Sequence, residues 1–136
     1  MIGAIMGLKK KDKKSRRDRN TGDRRHGSAR LELILMIAAT DKTFERSTDG
    51  FWYGRCLHCS SSLRVGATGQ TSASIEHIVP VSAGGSNSDM LNMALACISC
   101  NSEKGVRHDP NYPRDPRAVE VIESLLQRRL KRWREA

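Results

Sequence analysis

Four cysteines stand in two pairs of identical spacing, Cys56-Leu57-His58-Cys59 and Cys97-Ile98-Ser99-Cys100, with residues 60–96 between them. Two thiolates three positions apart can reach one metal ion from a tight turn, and two such turns complete a tetrahedron. The competing use of four cysteines, two disulfides, belongs to an oxidising compartment. Here an apolar stretch precedes the charges at the start of the chain, the reverse of a secretory signal. A structural Zn2+ on Cys56, Cys59, Cys97 and Cys100 is therefore expected. Four protein ligands leave no open position, so such an ion holds the fold and performs no chemistry.

Charge divides the remaining chain. Lys and Arg number 24 against 15 Asp and Glu, a net of +9 over 136 residues. Residues 1–30 hold 11 of the cations and 3 of the acids, a net of +8, which leaves 13 and 12, a net of +1, for residues 31–136. Four thiolates around Zn2+ add about −2, which takes the latter to about −1. Residues 9–25 carry no aliphatic or aromatic side chain and cannot offset the entropy of ordering. A basic, disordered tail over residues 1–30 is expected, ahead of one domain over 31–136. Its natural partner is a polyphosphate, bound with release of counterions, although a solvated tail would have the same composition. No apolar run approaches the roughly 18 residues of a membrane span, so no membrane partner is expected. A cytoplasmic protein of bacterial or phage origin fits these features, with its oligomeric state open.

Local patterns sketch the elements. Ser28 is a candidate cap for a helix through the apolar residues 31–39, a segment whose density would also suit a strand. Thr48-Asp49-Gly50 reads as a turn, Phe51-Trp52-Tyr53 as the start of a strand, and Leu63–Val65 as a further β-like patch. A second strand is expected over Ile75–Val81, then a loop at Gly84-Gly85 and Asn87, then an apolar stretch from Met90 to Ala96. Asp115 and Pro116 suit the cap and first position of a helix lasting to Arg134. On it Val119, Ile122, Leu126, Leu130 and Trp133 make an apolar stripe, and Arg128, Arg129, Lys131, Arg132 and Arg134 a cationic patch.

The chemistry-bearing residues lie between and just after the cysteine pairs: Glu76-His77-Ile78-Val79-Pro80, Gly84-Gly85, Asn92, and Cys97-Ile-Ser-Cys100-Asn101-Ser-Glu-Lys104. A histidine with a pKa near 6.5 can take a proton from water at neutral pH. Glu76 and Asn101 offer hard oxygen donors suited to Mg2+, which needs few protein ligands when water and phosphate complete its shell. Cys100 and Asn101 are adjacent, so the zinc ligand anchors the backbone that presents Asn101. Lys104 follows Asn101 by three residues, on the same helical face, within reach of a phosphate. His58 is expected to be exposed and His108 to have no catalytic part.

This combination resembles the HNH endonuclease family, closely over residues 75–105 and back to Cys56 through the cysteine pairs. The resemblance implies an α+β fold with a small ββα-metal core (about residues 73–108), a four-cysteine zinc site, and flanking helices. It also implies cleavage of DNA with His77 as general base. Glu76 and Asn101 would hold one Mg2+ or Mn2+, Asn92 would tie the loop that orients His77, and the products would carry 5′-phosphate and 3′-hydroxyl ends. Glu76 stands where the family usually has Asp, one methylene shorter. In a regular strand Glu76 and His77 would also point to opposite faces. The alternative is a zinc-dependent DNA-binding module without catalysis. A weaker one is an assembly partner that packs through residues 31–39.

Overall fold

The computed structural model describes residues 25–107 and 116–136. The first helix, α1 (Gly27–Ala39), settles the ambiguity of the apolar segment. Its cap position is His26, with no side-chain cap bond, so Ser28 lies inside the first turn instead of ahead of it. Three short antiparallel strands follow in sheet order: β1 (Glu45–Arg46), β2 (Trp52–Arg55) and β3 (Ser62–Val65). A second antiparallel pair, β4 (Ala73–His77) and β5 (Met93–Cys97), runs directly into α2 (Ile98–Arg107). The last helix is α3 (Ala118–Arg132). It begins after a turn at Pro116 and Arg117, with Arg117 at the cap. Asp115 and His108 lie outside the described residues, as does the basic stretch up to Arg24.

The β4–β5 pair lies at the centre. In antiparallel pairing, opposed residues share a face, so Ile75, His77, Met93 and Leu95 lie on one side and Ser74, Glu76, Ala94 and Ala96 on the other. Ile75, Met93 and Leu95 pack with Ile34, Ile37 and Ala38 of α1 and with Phe44, Leu63 and Val65 from around the three-stranded sheet. A second cluster joins Ala94, Leu57 and Ile78 to Leu125 of α3, with Val121, Ile122 and Leu126 around it. Alanine opposite Glu76 and opposite Ser74 leaves room for the polar side chains that α2 brings to that face.

The last helix is turned from its expected orientation. Val119 and Leu130, both in the expected stripe, are 67% and 58% exposed, whereas Leu125 and Arg129 are buried. The inner face is rotated toward Val121, Leu125 and Arg129, with Ile122 and Leu126 of the expected stripe kept at its edge. The cause lies in the arginines, which satisfy backbone carbonyls instead of forming an outward cationic patch. Arg129, wholly buried, donates to the carbonyls of Met93 (2.8 Å), Met90 (3.1 Å) and Thr40 (3.1 Å) and to Thr40 Oγ1 (2.8 Å). Arg134 reaches the carbonyls of Ala38, Ala39 and Phe44. α1 has no basic residue in its own last turn, so Arg129 of α3 and Arg134, just past the helix end at Arg132, supply the cations its C-terminal carbonyls favour. Arg128 donates to the carbonyls of Leu57 (2.7 Å) and His58 (2.8 Å), and Arg132 to those of Arg55 and Cys56. Arg128 and Arg132 thus brace the first cysteine turn, Arg129 and Arg134 brace the end of α1 and the segment after it, and Lys131 is exposed.

Candidate active site

The two cysteine turns meet at the end of the β4–β5 pair. The ligand sulfurs of Cys56, Cys59, Cys97 and Cys100 all lie within 4.8 Å of one another, and all four thiols are free. Zinc with sulfurs at about 2.3 Å in a tetrahedron places them roughly 3.8 Å apart, close to the 3.9 Å between Cys59 and Cys97. The cluster can therefore hold a zinc ion. The first turn closes through Ser60 in the left-handed region (φ 61°), with the Ser60 amide donating to the Cys56 carbonyl at 3.1 Å. The Cys97 amide donates to Cys56 Sγ at 3.3 Å and so ties the two turns together before any metal is considered. Hydrogen bonds from Ser61 bring the Cys59 thiol down to about 6, while burial pushes those of Cys56 and Cys100 up. Such a mixed cluster favours a cation that can stabilise every thiolate at once.

β4 carries Glu76 and His77 in regular register to its last residue, with Glu76 opposite Ala94 and His77 opposite Met93. The two side chains therefore leave opposite faces, and the strand ends at His77, earlier than the expected Val81. Glu76 is fully buried. His58 Nε2 meets its Oε1 at 2.5 Å, and Lys104 Nζ lies 3.7 Å from the same oxygen. Its Oε2 is buried with no hydrogen-bond partner among the described residues. A carboxylate oxygen in that state is the kind of orphaned acceptor that a cation or ordered water satisfies, so this donor fits a divalent ion.

α2 lays its Asn101 and Lys104 against the Glu76 face of β4. Asn101, also buried, donates from Nδ2 to Ser74 Oγ and to the Ile75 carbonyl, both at 3.0 Å. Its amide nitrogen is thus committed to the strand, and its oxygen is the atom with ligand chemistry. Lys104, expected within reach of a phosphate, is 5% exposed and donates to the His77 carbonyl at 2.8 Å. Burial pulls its ammonium below the ordinary 10.5, and the Glu76 charge pulls the other way.

His77 points toward the loop after β4, where its Nε2 lies 2.7 Å from Asn87 Oδ1. A carboxamide oxygen only accepts, so in the neutral ring this contact puts the proton on Nε2 and the lone pair on Nδ1. Asn92 pins that loop: its Oδ1 accepts from the Val79 amide (2.9 Å), and its Nδ2 donates to the carbonyls of Val79 (3.1 Å) and Ser86 (2.9 Å). Gly85 is required by close approach, since a Cβ there would lie 1.8 Å from the Val79 carbonyl oxygen. The Asn87 carbonyl also accepts from Arg25 at 2.6 Å, which brings the root of the basic segment beside His77.

A cysteine turn, a buried acid before a strand-end histidine, an asparagine-pinned loop, and a helix that starts within the second cysteine turn thus follow one another in order. Residues 56–116 match the HNH endonuclease family. No curated protein and no solved structure matches the chain at a significant level. The HNH match begins at the first cysteine turn and takes in the whole β4–β5–α2 unit, an α+β arrangement with a cysteine tetrad able to bind zinc. The family is one of endonucleases, and no helix among the described residues is long and apolar enough to cross a membrane. Two residues of the site do not show in the sequence: Asn87, and His58, expected to be exposed but largely buried against Glu76. His58 sits inside a metal-binding turn, which hides its ring contact, and Asn87 looks like any loop asparagine until the loop closes.

Proposed function

We propose that this protein is a metal-dependent DNA endonuclease that hydrolyses phosphodiester bonds at the end of β4. The observation that carries the reading is Glu76 Oε2, a buried carboxylate oxygen with no partner among the described residues, one residue before a histidine whose ring is held by Asn87. Glu76 and Asn101 are the residues that would hold Mg2+ or Mn2+. Such an ion supplies stabilisation of the extra negative charge on the scissile phosphate and the departing 3′ oxygen. His77 takes a proton from the attacking water at Nδ1, acting as general base. Asn87 fixes the tautomer and aim of that ring, and Asn92 holds the loop that carries Asn87. Lys104, bonded to the His77 carbonyl, steadies the strand end beside the reacting phosphate. The products carry 5′-phosphate and 3′-hydroxyl ends. Residues 31–136 form the nuclease domain, and the basic residues of 1–30 attract the DNA backbone, with Arg25 placing their root near His77.

Plasmid DNA incubated with Mg2+ or Mn2+ should be nicked or linearised by the wild type, and His77→Ala should lower the rate by about 100-fold or more. Equal rates in the two proteins would refute the role of His77. The second reading, a DNA-binding module without hydrolysis, is favoured by the complete burial of Glu76 against His58 and Lys104. It is distinguished by tight, salt-sensitive DNA binding with no cleavage in either metal.

A further inference from the structure

We propose that His58 is a positioning residue for Glu76: its ring occupies Oε1 and so reserves Oε2 for the divalent cation. The inference rests on the reading of Glu76 as a cation ligand. Glutamate has one more rotatable bond than the shorter acid the family usually places here, so its carboxylate needs an external lock to present one defined oxygen. His58 provides it. The ring nitrogen lies 2.5 Å from Oε1, and the His58 side chain is only 17% exposed.

The lock is rigid because the backbone beneath the ring is held from three sides. His58 sits between two cysteines of the zinc cluster, the Leu57 amide donates to the Leu95 carbonyl of β5 at 3.1 Å, and Arg128 of α3 takes the Leu57 and His58 carbonyls. Lys104, 3.7 Å from the same Oε1, adds a second donor on that side. One oxygen of the carboxylate therefore faces the His58 ring and the Lys104 charge, and the other has no hydrogen-bond partner among the described residues. Partners that orient metal ligands in this way typically change metal affinity by about 10–100-fold when removed. The arrangement also couples the two metals: the cysteine turn that binds zinc is the turn that aims Glu76.

The test measures Mn2+ affinity directly, by following the free-ion electron paramagnetic resonance signal as Mn2+ is titrated into the zinc-loaded full chain. Zinc content and circular dichroism report folding for each variant. His58→Ala should weaken Mn2+ binding by about tenfold or more with one zinc retained. His58→Asn, whose shorter amide cannot reach Oε1, should match it, and His58→Gln, which places a donor near the position of Nε2, should restore most of the affinity. If Ala and Asn both bind Mn2+ like the wild type while Glu76→Gln binds it weakly, the positioning role is wrong and Glu76 remains a ligand. If Glu76→Gln binds Mn2+ as well as the wild type, or the wild type binds none, the ligand reading fails and the role of His58 goes with it.

Discussion

At the scale of single residues, the informative side chains are charged groups facing inward. Arg129 is buried beside Asp41, itself 1% exposed, and satisfies three carbonyls and a hydroxyl. Replacing it with Met keeps the volume but removes those four hydrogen bonds and the cation beside Asp41, whose Oδ1 keeps its bonds from Thr43. Arg129→Met should cost about 3–5 kcal/mol, read as a lower urea midpoint with an unchanged slope. A DNA-facing arginine would instead lower affinity and leave the midpoint alone. A second pair lies at the surface, where Tyr53 donates to Asp49 Oδ2 at 2.7 Å. That bond, with one from the Phe51 amide, holds Asp49 below 3.8, and the carboxylate holds the Tyr53 phenol above 10.0. The Asp49 contribution to stability is present above its unfolded value and fades as pH falls through its lower folded one. The Tyr53 contribution is present below 10.0 and is lost as pH rises through its higher folded value. The chain has two tyrosines, and in Asp49→Asn one of the two phenolate absorbance transitions should move back toward about 10.

At the scale of elements, the loop between β4 and β5 is the part on which the site depends. Its shape follows from Gly85, which admits the Val79 carbonyl, and from the three hydrogen bonds of Asn92. Asn92→Ala should destabilise the protein by about 2–4 kcal/mol, since it strands buried backbone groups as well as losing bonds. Gly85→Ala should leave the three helices and both sheets folded yet release Asn87 from His77. The check is histidine-selective NMR: the His77 ring signals should broaden or shift while those of His58 keep their positions. Unmoved His77 signals in Gly85→Ala would show that the loop does not position the ring. Most of these elements were legible beforehand, because turn residues and strand-like runs mark the chain at Gly50, Leu63–Val65 and Gly84-Gly85. The ends were less so. β4 stops at His77 because the chain turns there into the pinned loop, and α2 passes Gly105 to reach Arg107.

For the whole molecule, the cysteine cluster is the junction between the small three-stranded sheet and the β4–β5–α2 unit. Apparent zinc contributions of about 10–16 kcal/mol in small zinc domains match or exceed the roughly 5–15 kcal/mol total stability of an ordinary domain. Removing zinc with a strong chelator should therefore abolish the cooperative thermal transition, and adding zinc back should restore it. A chelated protein that melts at its original temperature would show that the apolar clusters suffice. The sequence by itself determined what depends on spacing and composition: the paired cysteines, the strand-like and helix-like runs, the motif that resembles the HNH family and the nearly neutral stretch behind a basic segment. Only the tertiary structure decided which face each polar group took. Arg128, Arg129, Arg132 and Arg134 turned inward because chain ends packed beside α3 left carbonyls in need of donors. His58 met Glu76 because the metal-binding turn folds over β4. Those pairings join positions far apart in the chain, so no local pattern could encode them.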